Sequence, residues 1–279
     1  MKVSIIGLGF VGSSMHKSFI LKKIDVYGYD KYKEGGIGNF ESCLHSDIIF
    51  LALPTLFDEN KCSYDKDPIY ETCAKLMDHN FEGFVIIKST IEPETTNILS
   101  KMYRSLKIIH NPEFLSASTG LEDFHNQKHI VLGKGDNVNT EELEKIRDFY
   151  QKYYPDAEIS LCESTESESM KLFANSFYSV KIQFFNELYL LCQKTNTNFD
   201  IVKELMLKNN WINPMHTNVP GRDGQLSYGG FCFPKDTNAL LAFMKEKQTT
   251  CKVLEASIQE RNHMRNDHEN IIQEQTLNE

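Results

Sequence analysis

The segment that decides the fold lies near the start of the chain and reads Val3-Ser4-Ile5-Ile6-Gly7-Leu8-Gly9-Phe10-Val11-Gly12. A short run of β-branched residues leads into a G-x-G-x-x-G pattern, and a helical stretch follows it, which is the context of a dinucleotide-binding turn. In such a turn Gly7 permits the tight bend, Gly9 lets a pyrophosphate approach the backbone, and Gly12 lets the helix pack against the sheet. The N–H groups and the partial positive charge at the start of the helix then favour the phosphates. We therefore predict a dinucleotide site at this turn.

An acidic residue at the end of the second predicted strand indicates which dinucleotide binds. Asp30 follows the run Ile24–Tyr27. A carboxylate there can accept hydrogen bonds from a ribose 2′-OH, and it repels a 2′-phosphate. The sequence thus favours NAD over NADP, although Lys31 and Lys33 lie close by and can soften that preference.

Short apolar runs alternate with helical stretches through the first half of the chain. Several runs are continuously apolar, as expected for strands buried on both faces of a parallel sheet. Pro93–Tyr103 and Thr140–Tyr153 read as helices. The alternation predicts an α/β fold with a Rossmann-type, doubly wound parallel sheet over residues 1–160. The predicted strands are Val3–Ile6, Ile24–Tyr27, Asp47–Leu53, Phe84–Ile87, Leu106–Ile109 and His129–Leu132.

A helical pattern replaces the alternation from Glu163 onward. Thr165-x-x-Glu168 is a capping-box signature, and a long helix with few breakers follows it to about Lys194. Its apolar residues recur at a helical spacing that is typical of core packing; they are Leu172, Phe173, Val180, Phe184, Leu188 and Leu191. We predict an α-helical central domain over 161–265, with a loop-rich stretch at 209–236, a second helix over Thr237–Met264 and a polar, fraying tail at 266–279.

Composition excludes several functions. The 279 residues include 30 Lys and Arg against 39 Asp and Glu, and the net charge of −9 argues against a general nucleic-acid binder and against binding to an anionic membrane surface. No apolar run reaches transmembrane length. Seven scattered Cys without a C-x-x-C pair are typical of reduced thiols, so we expect a cytoplasmic protein whose partner is neither a nucleic acid nor a membrane.

One stretch is chemically distinctive, and it reads Tyr228-Gly229-Gly230-Phe231-Cys232-Phe233-Pro234-Lys235-Asp236. A Cys after two glycines, with a Lys and an Asp close behind, is an activatable thiol. Lys235 can stabilise the thiolate and Asp236 can handle protons. A buried loop cysteine fits the same residues, and chemistry alone leaves both interpretations open.

Two further sets of polar residues fit a reacting site. Lys171 and Asn175 are one helical turn apart and can bind an oxyanion together, although without further context a solvated polar face is the simpler interpretation. Thr90 and Glu113 each follow a predicted strand, at the sheet edge where ligands bind in open parallel sheets. Glu113 is therefore a candidate acid or base.

Together these parts suggest a two-step oxidation. NAD accepts a hydride from an alcohol, and a thiol captures the resulting aldehyde as a thiohemiacetal. A second hydride transfer gives a thioester, which water hydrolyses to a carboxylate. A simple alcohol dehydrogenase does not need such a cysteine.

With these residues assembled, the sequence resembles the UDP-glucose/GDP-mannose dehydrogenase family over roughly residues 1–265. The motifs that carry the resemblance follow the family's order along the chain, and the last is highly specific. They are GLGFVG at 7–12, LPT at 53–55, KST at 88–90, NPEFL at 111–115, E-x-x-KLFAN at 168–175, FNE at 185–187 and GGFCFPKD at 229–236. The resemblance implies a nucleotide-sugar 6-dehydrogenase, with NAD as cofactor and UDP-glucose as the default substrate. It also implies a central domain like the C-terminal domain of 6-phosphogluconate dehydrogenase, a homodimer formed through the central helix, and no metal.

The resemblance implies roles for individual residues as well. In the catalytic set, Cys232 is the thiol nucleophile, and Lys171 and Asn175 are the oxyanion donors. Asp236 is the carboxylate that positions water, and Glu113 with Thr90 is the pair that handles protons. The cofactor set is Gly7, Gly9, Phe10, Val11, Gly12, Asp30, Lys33, Pro54, Thr55, Thr90 and Lys235. The substrate set is Glu113, Phe114, Leu115, Lys171, Asn175, Tyr228, Gly229, Gly230 and Cys232.

Three departures from the family pattern bear on the function. The family usually continues into a second Rossmann-like domain that holds the nucleotide, whereas this chain stops soon after the second predicted helix. The fourth position after Glu113 is usually acidic and is Ala117 here, which predicts either slower hydrolysis or hydrolysis that relies on Glu113 alone. Only 25 positions separate Asp30 from Thr55, which predicts a trimmed adenosine edge. Two alternatives therefore stay open: a two-electron NAD-dependent alcohol dehydrogenase on another substrate, and a non-catalytic NAD-binding remnant.

Overall fold

The structure is a computed structural model that describes residues 1–265. These residues form two compact units. The first unit contains Met1–Asp58 and Tyr64–Lys171, and the second contains Glu59–Ser63 and the chain from Leu172 onward. The predicted tail at 266–279 lies outside the described residues.

The first unit is built on a mixed β-sheet. Within the described residues it has seven strands in the order β2-β1-β3-β6-β7-β8-β9, and β4 and β5 form a separate short hairpin. The bounds are β1 (Val3–Ile6), β2 (Val26–Tyr29), β3 (Ile48–Leu51), β4 (Phe57–Asp58), β5 (Ser63–Tyr64), β6 (Phe84–Ile87), β7 (Lys107–His110), β8 (His129–Lys134) and β9 (Glu158–Glu163). All six predicted strands are present, whereas β4, β5 and β9 were not predicted.

The helices also follow the predicted order in the first half of the chain. They are α1 (Phe10–Leu21), α2 (Phe40–Cys43), α3 (Asp67–Asp78), α4 (Thr95–Met102), α5 (Gly120–His125) and α6 (Thr140–Tyr153), and then α7 (Ser164–Lys194), α8 (Phe199–Leu207), α9 (Phe233–Glu246) and α10 (Lys252–Met264). The bounds of α6 match the prediction because Asn139 and Glu142 form a capping box at its start.

The continuous apolar runs reflect strands buried on both faces. Ile48 and Phe50 of β3 pack into one apolar cluster, together with Phe19 of α1, whereas Ile49 and Leu51 pack into a second cluster on the opposite face. Side chains alternate across a strand, so a strand covered on both sides needs an apolar residue at every position.

The predicted Rossmann-type parallel sheet is confirmed, and one of its strand pairs is antiparallel. β8 runs antiparallel to β7, while the other neighbouring pairs of the large sheet are parallel. A parallel crossover needs a helix long enough to return the chain along the sheet. The connection from β7 to β8 contains only α5, whose six residues span about 9 Å, so the chain re-enters from the same end.

The boundary between the two units falls inside α7, rather than near residue 160 as predicted. β9 pairs with β8 and belongs to the sheet. The first turns of α7 stay with the same unit because Ser167 Oγ lies 2.8 Å from Nδ1 of the buried His110. The second unit therefore begins at Leu172.

Glu168 does not cap its own helix as the capping-box prediction required. Its carboxylate instead accepts hydrogen bonds from the backbone N–H groups of Glu94 and Thr96, both at 2.7 Å, at the start of α4. The N–H of Glu163 is satisfied by Glu166 at 2.9 Å. Burial raises the pKa of Glu168 to about 7, although these N–H groups oppose the rise.

Two predictions about the second unit were wrong. The single helix over Thr237–Met264 is two helices, α9 and α10, separated near Gln248, which has a φ of +56° that no α-helix contains. The predicted core stripe of α7 is only partly buried: Leu172 is inaccessible, but Phe173, Phe184 and Leu191 are 51%, 53% and 59% exposed. Within the described residues, no helix combines the length and apolar character needed to cross a membrane.

Candidate active site

The glycine-rich turn between β1 and α1 has the geometry that the sequence predicted. Gly7 has φ +91°, and a Cβ there would lie 2.5 Å from the Ala52 carbonyl oxygen. A Cβ on Gly12 would lie 1.8 Å from the Gly7 oxygen, so only glycine allows α1 to start this close to the turn. A Cβ on Gly9 would meet no described atom within 4 Å, which leaves open space above the backbone.

This open space suits the pyrophosphate of a dinucleotide. Gly9 precedes the first residue of α1, and the first turn, Phe10 to Ser13, is uncharged. The first N–H groups of a helix lack intrahelical partners and carry partial positive charge, so they can receive phosphate oxygens. The residues present therefore fit the diphosphate of NAD.

Asp30 is an ionised anchor beside the same turn. Its carboxylate accepts backbone N–H groups from Leu8 at 2.6 Å, Lys33 at 2.9 Å and Tyr32 at 3.0 Å. Burial opposes ionisation, but these N–H groups and the Lys33 ammonium outweigh it and lower the pKa of Asp30. Lys33 Nζ also donates to the Leu8 carbonyl at 2.7 Å, so Lys33 braces the turn.

The remaining predicted cofactor residues of the first unit lie where β3 and β6 end. The Thr55 hydroxyl donates to the Thr90 carbonyl at 2.8 Å, which joins the two strand ends, and both residues are buried. Pro54 is exposed. This places Thr55 and Thr90 at the carboxyl edge of the sheet, the edge at which ligands bind in open α/β folds.

A buried cation and a carboxylate meet on the same side of the first unit. Lys171 Nζ donates to the Glu113 carbonyl oxygen at 2.6 Å and to Glu113 Oε1 at 3.2 Å, and the Lys171 residue is 5% exposed. The second carboxylate oxygen of Glu113 accepts from the Leu115 N–H. The Phe114 ring lies 5.5 Å from Lys171 Nζ and stacks on His129. Glu113 and Lys171, predicted separately, therefore form one ion pair.

The second unit holds the cysteine motif at the start of a helix, not in a loop as predicted. α9 begins at Phe233, so Cys232 stands at its N-terminal cap and is exposed. Asp236 lies in the first turns, fully buried. Its carboxylate accepts from Lys235 Nζ at 2.6 Å and from Asn175 Nδ2 at 2.6 Å. The Lys235 ammonium thus forms an ion pair with the adjacent Asp236 carboxylate.

The glycine-rich segment before the cysteine is tied to α10 and its C-terminal end. Arg261 Nε donates to the carbonyl of the buried Tyr228 at 3.1 Å. A Cβ on Gly229 would lie 2.3 Å from the Arg265 guanidinium, so this position has no room for a side chain. Gly230 has φ +75°, a conformation that favours glycine. These contacts hold the segment that leads into Cys232.

The structure thus gathers the predicted residues into four groups. The first unit holds the dinucleotide turn, the Thr55–Thr90 contact and the Glu113–Lys171 pair, and the second holds Cys232, Lys235, Asp236 and Asn175. Sequence reasoning missed Lys88, although its KST motif was noted: this fully buried lysine lies behind the Glu113 loop. Among the described residues, no three His, Cys, Asp or Glu side chains are arranged to hold a metal ion.

The chain has a Rossmann-type unit with this glycine-rich turn, and a helical unit with a polar site follows it. This fold is typical of the class of two-domain dinucleotide-binding proteins. Comparison with known families is more specific. The NAD binding domain of the UDP-glucose/GDP-mannose dehydrogenase family matches residues 38–153, and the central domain of the same family matches residues 165–263. The chain therefore belongs to the UDP-glucose/GDP-mannose dehydrogenase family, whose N-terminal domain binds NAD.

Curated relatives agree with this assignment. The chain is 30% identical over 205 residues to a UDP-glucose 6-dehydrogenase of Campylobacter jejuni, a match that covers 72% of this chain and 50% of the relative. It is 31% identical over 228 residues to a UDP-glucose 6-dehydrogenase of Rickettsia bellii, which covers 78% of this chain and 50% of that relative. The chain spans about half the length of these relatives.

Solved structures support the fold. A UDP-glucose dehydrogenase from Pyrobaculum islandicum superposes with a TM-score of 0.82 at 24% identity, covering 94% of this chain and 68% of that one. A 3-hydroxyisobutyrate dehydrogenase from Mycobacterium tuberculosis superposes with a TM-score of 0.73 at 14% identity, covering 96% and 94%. At these identities the likeness concerns the fold alone.

Proposed function

We propose that this chain catalyses the NAD-dependent oxidation of the C6 hydroxyl of a nucleotide sugar, UDP-glucose to UDP-glucuronate, through a thioester on Cys232. The observation that carries the proposal is the start of α9. There an exposed thiol stands at the helix N-terminus, while Asp236, one turn further on, is fully buried and bonded to Asn175. Oxidation of an alcohol to an aldehyde needs no thiol, whereas oxidation onward to an acid is served by one.

The first unit's residues would hold the cofactor. When bound, NAD supplies a hydride acceptor, and a four-electron oxidation uses it twice. The turn from Gly7 to Gly12 would receive the pyrophosphate. Asp30, whose carboxylate is fixed beside the turn by three N–H groups, would accept hydrogen bonds from the ribose hydroxyls.

Cys232 provides the covalent step. Its thiolate adds to the aldehyde carbon, so that a C–S bond forms, the carbonyl electron pair moves to oxygen and the oxygen takes up a proton, giving a thiohemiacetal. Loss of a hydride from carbon, for which bound NAD would be the acceptor, and of the hydroxyl proton from oxygen then gives the thioester. The N-terminus of α9 supports this step because its partial positive charge stabilises a sulfur anion.

Lys171 and Asn175 stabilise the oxygen anion. Two of the three N–H bonds of the Lys171 ammonium point at Glu113, and one of the two N–H bonds of the Asn175 amide points at Asp236. Each group thus keeps a further N–H beyond these bonds, and the two residues are one helical turn apart in α7. N–H donors of this kind can stabilise negative charge that develops on a substrate oxygen.

Water completes the reaction. It adds to the thioester carbon, the C–S bond breaks, the thiolate leaves, and a carboxylate and two protons are released. Glu113 and Asp236 are the carboxylates that accept or relay those protons. Ala117 is exposed and carries no carboxylate, so hydrolysis depends on these two residues and is the step we expect to be slow.

Turnover on a panel of UDP- and GDP-linked sugars tests the proposal. We expect NADH to form with UDP-glucose and the sugar product to be an acid. NADH formation with production of an aldehyde or ketone only would support the two-electron alternative. NAD binding without oxidation of any sugar nucleotide would support the non-catalytic alternative and contradict the proposal.

We further propose that the chain forms a homodimer through α7. Phe173, Phe177 and Phe184 are each more than half exposed, and they recur at intervals that place them on one side of the helix. An exposed apolar stripe of this size is typical of a protein interface and costs free energy in water.

The oligomeric state in solution tests this interface. Phe184→Glu should convert a dimer into a monomer, measured by light scattering after size-exclusion chromatography, because it places a charge within the stripe. Leu205→Glu on α8 is the matched control, since Leu205 is 59% exposed but lies on another helix. A wild-type monomer at micromolar concentration would contradict the proposal.

A further inference from the structure

Lys88 is a buried cation that the proposed chemistry does not use. It follows the last residue of β6, and only 2% of the residue is exposed. Burying an ammonium group costs several kcal/mol, and an apolar side chain of similar length would fill the space without that cost. A buried lysine at this position therefore indicates that its ammonium group has specific hydrogen-bond acceptors.

The partners of Lys88 are the first residues of the loop after β7. Its Nζ donates to Asn111 Oδ1 at 2.9 Å and to the Pro112 carbonyl at 3.2 Å. Because proline has no N–H, the carbonyl is the only polar backbone group by which Pro112 can be held. Pro112 precedes Glu113, so this bond fixes the peptide that leads into the proposed acid–base residue.

Asn111 is in turn held from two other elements. Its Nδ2 donates to the Val131 carbonyl of β8 at 2.7 Å, and its Oδ1 also accepts from the hydroxyl of Tyr150 on α6. Lys88 is thus one member of a fully buried network that joins four elements of the first unit behind the loop.

The charge of Lys88 acts on the same loop. Burial lowers the pKa of Lys88 to about 7, and the Glu113 carboxylate opposes that fall while Lys171 adds to it. The Glu113 carboxylate therefore interacts electrostatically with two lysines: Lys171 is in direct contact with it, and Lys88 lies behind the loop.

We propose that Lys88 is a positioning residue, which holds the Asn111–Glu113 segment in the arrangement in which Glu113 meets Lys171. The inference rests on the proposed function, in which Glu113 and Lys171 act on the substrate. A group displaced by about 1 Å can cost about 10²-fold in rate, so loss of Lys88 should lower turnover without touching the cofactor turn.

The test compares Lys88→Met and Lys88→Gln with the control Tyr150→Phe, which removes a donor to the same Asn111 oxygen but leaves Pro112 held. Lys88→Met should lower kcat by at least about tenfold while the KM for NAD stays within about twofold. Lys88→Gln should recover part of the loss because its amide can still donate. Tyr150→Phe should retain kcat within about threefold.

Hydrogen exchange of the backbone amides over 113–119 gives a readout that needs no activity. We expect faster exchange in Lys88→Met and unchanged exchange in Tyr150→Phe. If Lys88→Met does not fold, Lys88→Gln decides alone. Should the wild type oxidise no sugar nucleotide, faster exchange would still support the positioning role while the proposed function fails. If both Lys88 variants turn over substrate as fast as the wild type and their backbone amides exchange at the wild-type rate, the inference is overturned.

Discussion

Cys232→Ser should abolish the formation of sugar acid while leaving NAD binding intact. A serine hydroxyl is far less nucleophilic than a thiolate at neutral pH, so neither the thiohemiacetal nor the thioester forms. We expect acid production to fall by at least about 10³-fold, the scale of effect seen when a catalytic nucleophile is removed. Because the residue is exposed at the cap of α9, the fold should be unaffected.

Cys62→Ser is the matched control for this experiment. Cys62 is also an exposed free thiol, but it lies between β4 and β5 and outside the cysteine motif. It should retain wild-type turnover. Intact-mass measurement adds an independent readout: an adduct of the substrate's acyl group should be trapped on the wild type and on Cys62→Ser, and not on Cys232→Ser. Full acid production by Cys232→Ser would remove the thioester from the mechanism.

Lys171→Ala should lower kcat by about 10²- to 10³-fold, the usual cost of removing an oxyanion donor. It should also destabilise the protein, because Lys171 is buried and its loss leaves the Glu113 carboxylate and carbonyl without their cation. We expect a loss of about 1–3 kcal/mol in the free energy of unfolding, measured by urea denaturation. Turnover is therefore expressed per folded molecule.

Lys66→Ala separates the catalytic loss from the structural one. Lys66 forms a largely buried ion pair with Glu92, at 2.6 Å, in the same unit. Its removal should destabilise the protein by a similar amount while kcat stays within about threefold, since neither residue belongs to the proposed site. Equal kcat losses in the two variants would show that Lys171 acts through stability and not as an oxyanion donor.

Features that depend on local patterns were predictable from the sequence. The turn from Gly7 to Gly12 follows from steric limits on single residues, and α6 follows from a capping box and an apolar period. The strands of the sheet core were found because burial on both faces leaves them continuously apolar. β9 was missed because none of its residues is fully buried, so its sequence lacks a continuous apolar run.

Features that depend on distant partners were not predictable. Thr165-x-x-Glu168 reads locally as a capping box, but Glu168 caps α4, more than 70 positions earlier in the chain. Glu113 and Lys171 were each identified from a motif, yet nothing in either motif showed that they form one ion pair. The start of α9 was misplaced because of a local signal: Gly229 and Gly230 suggested that the loop continued through the cysteine motif.

The most direct test of the central claim is the number of NADH molecules formed for each molecule of UDP-glucose consumed to completion, with the product identified by mass spectrometry. A thioester on Cys232 commits the substrate to four-electron oxidation, so we expect a ratio of two and UDP-glucuronate as the product. A ratio of one with a two-electron product would contradict the account.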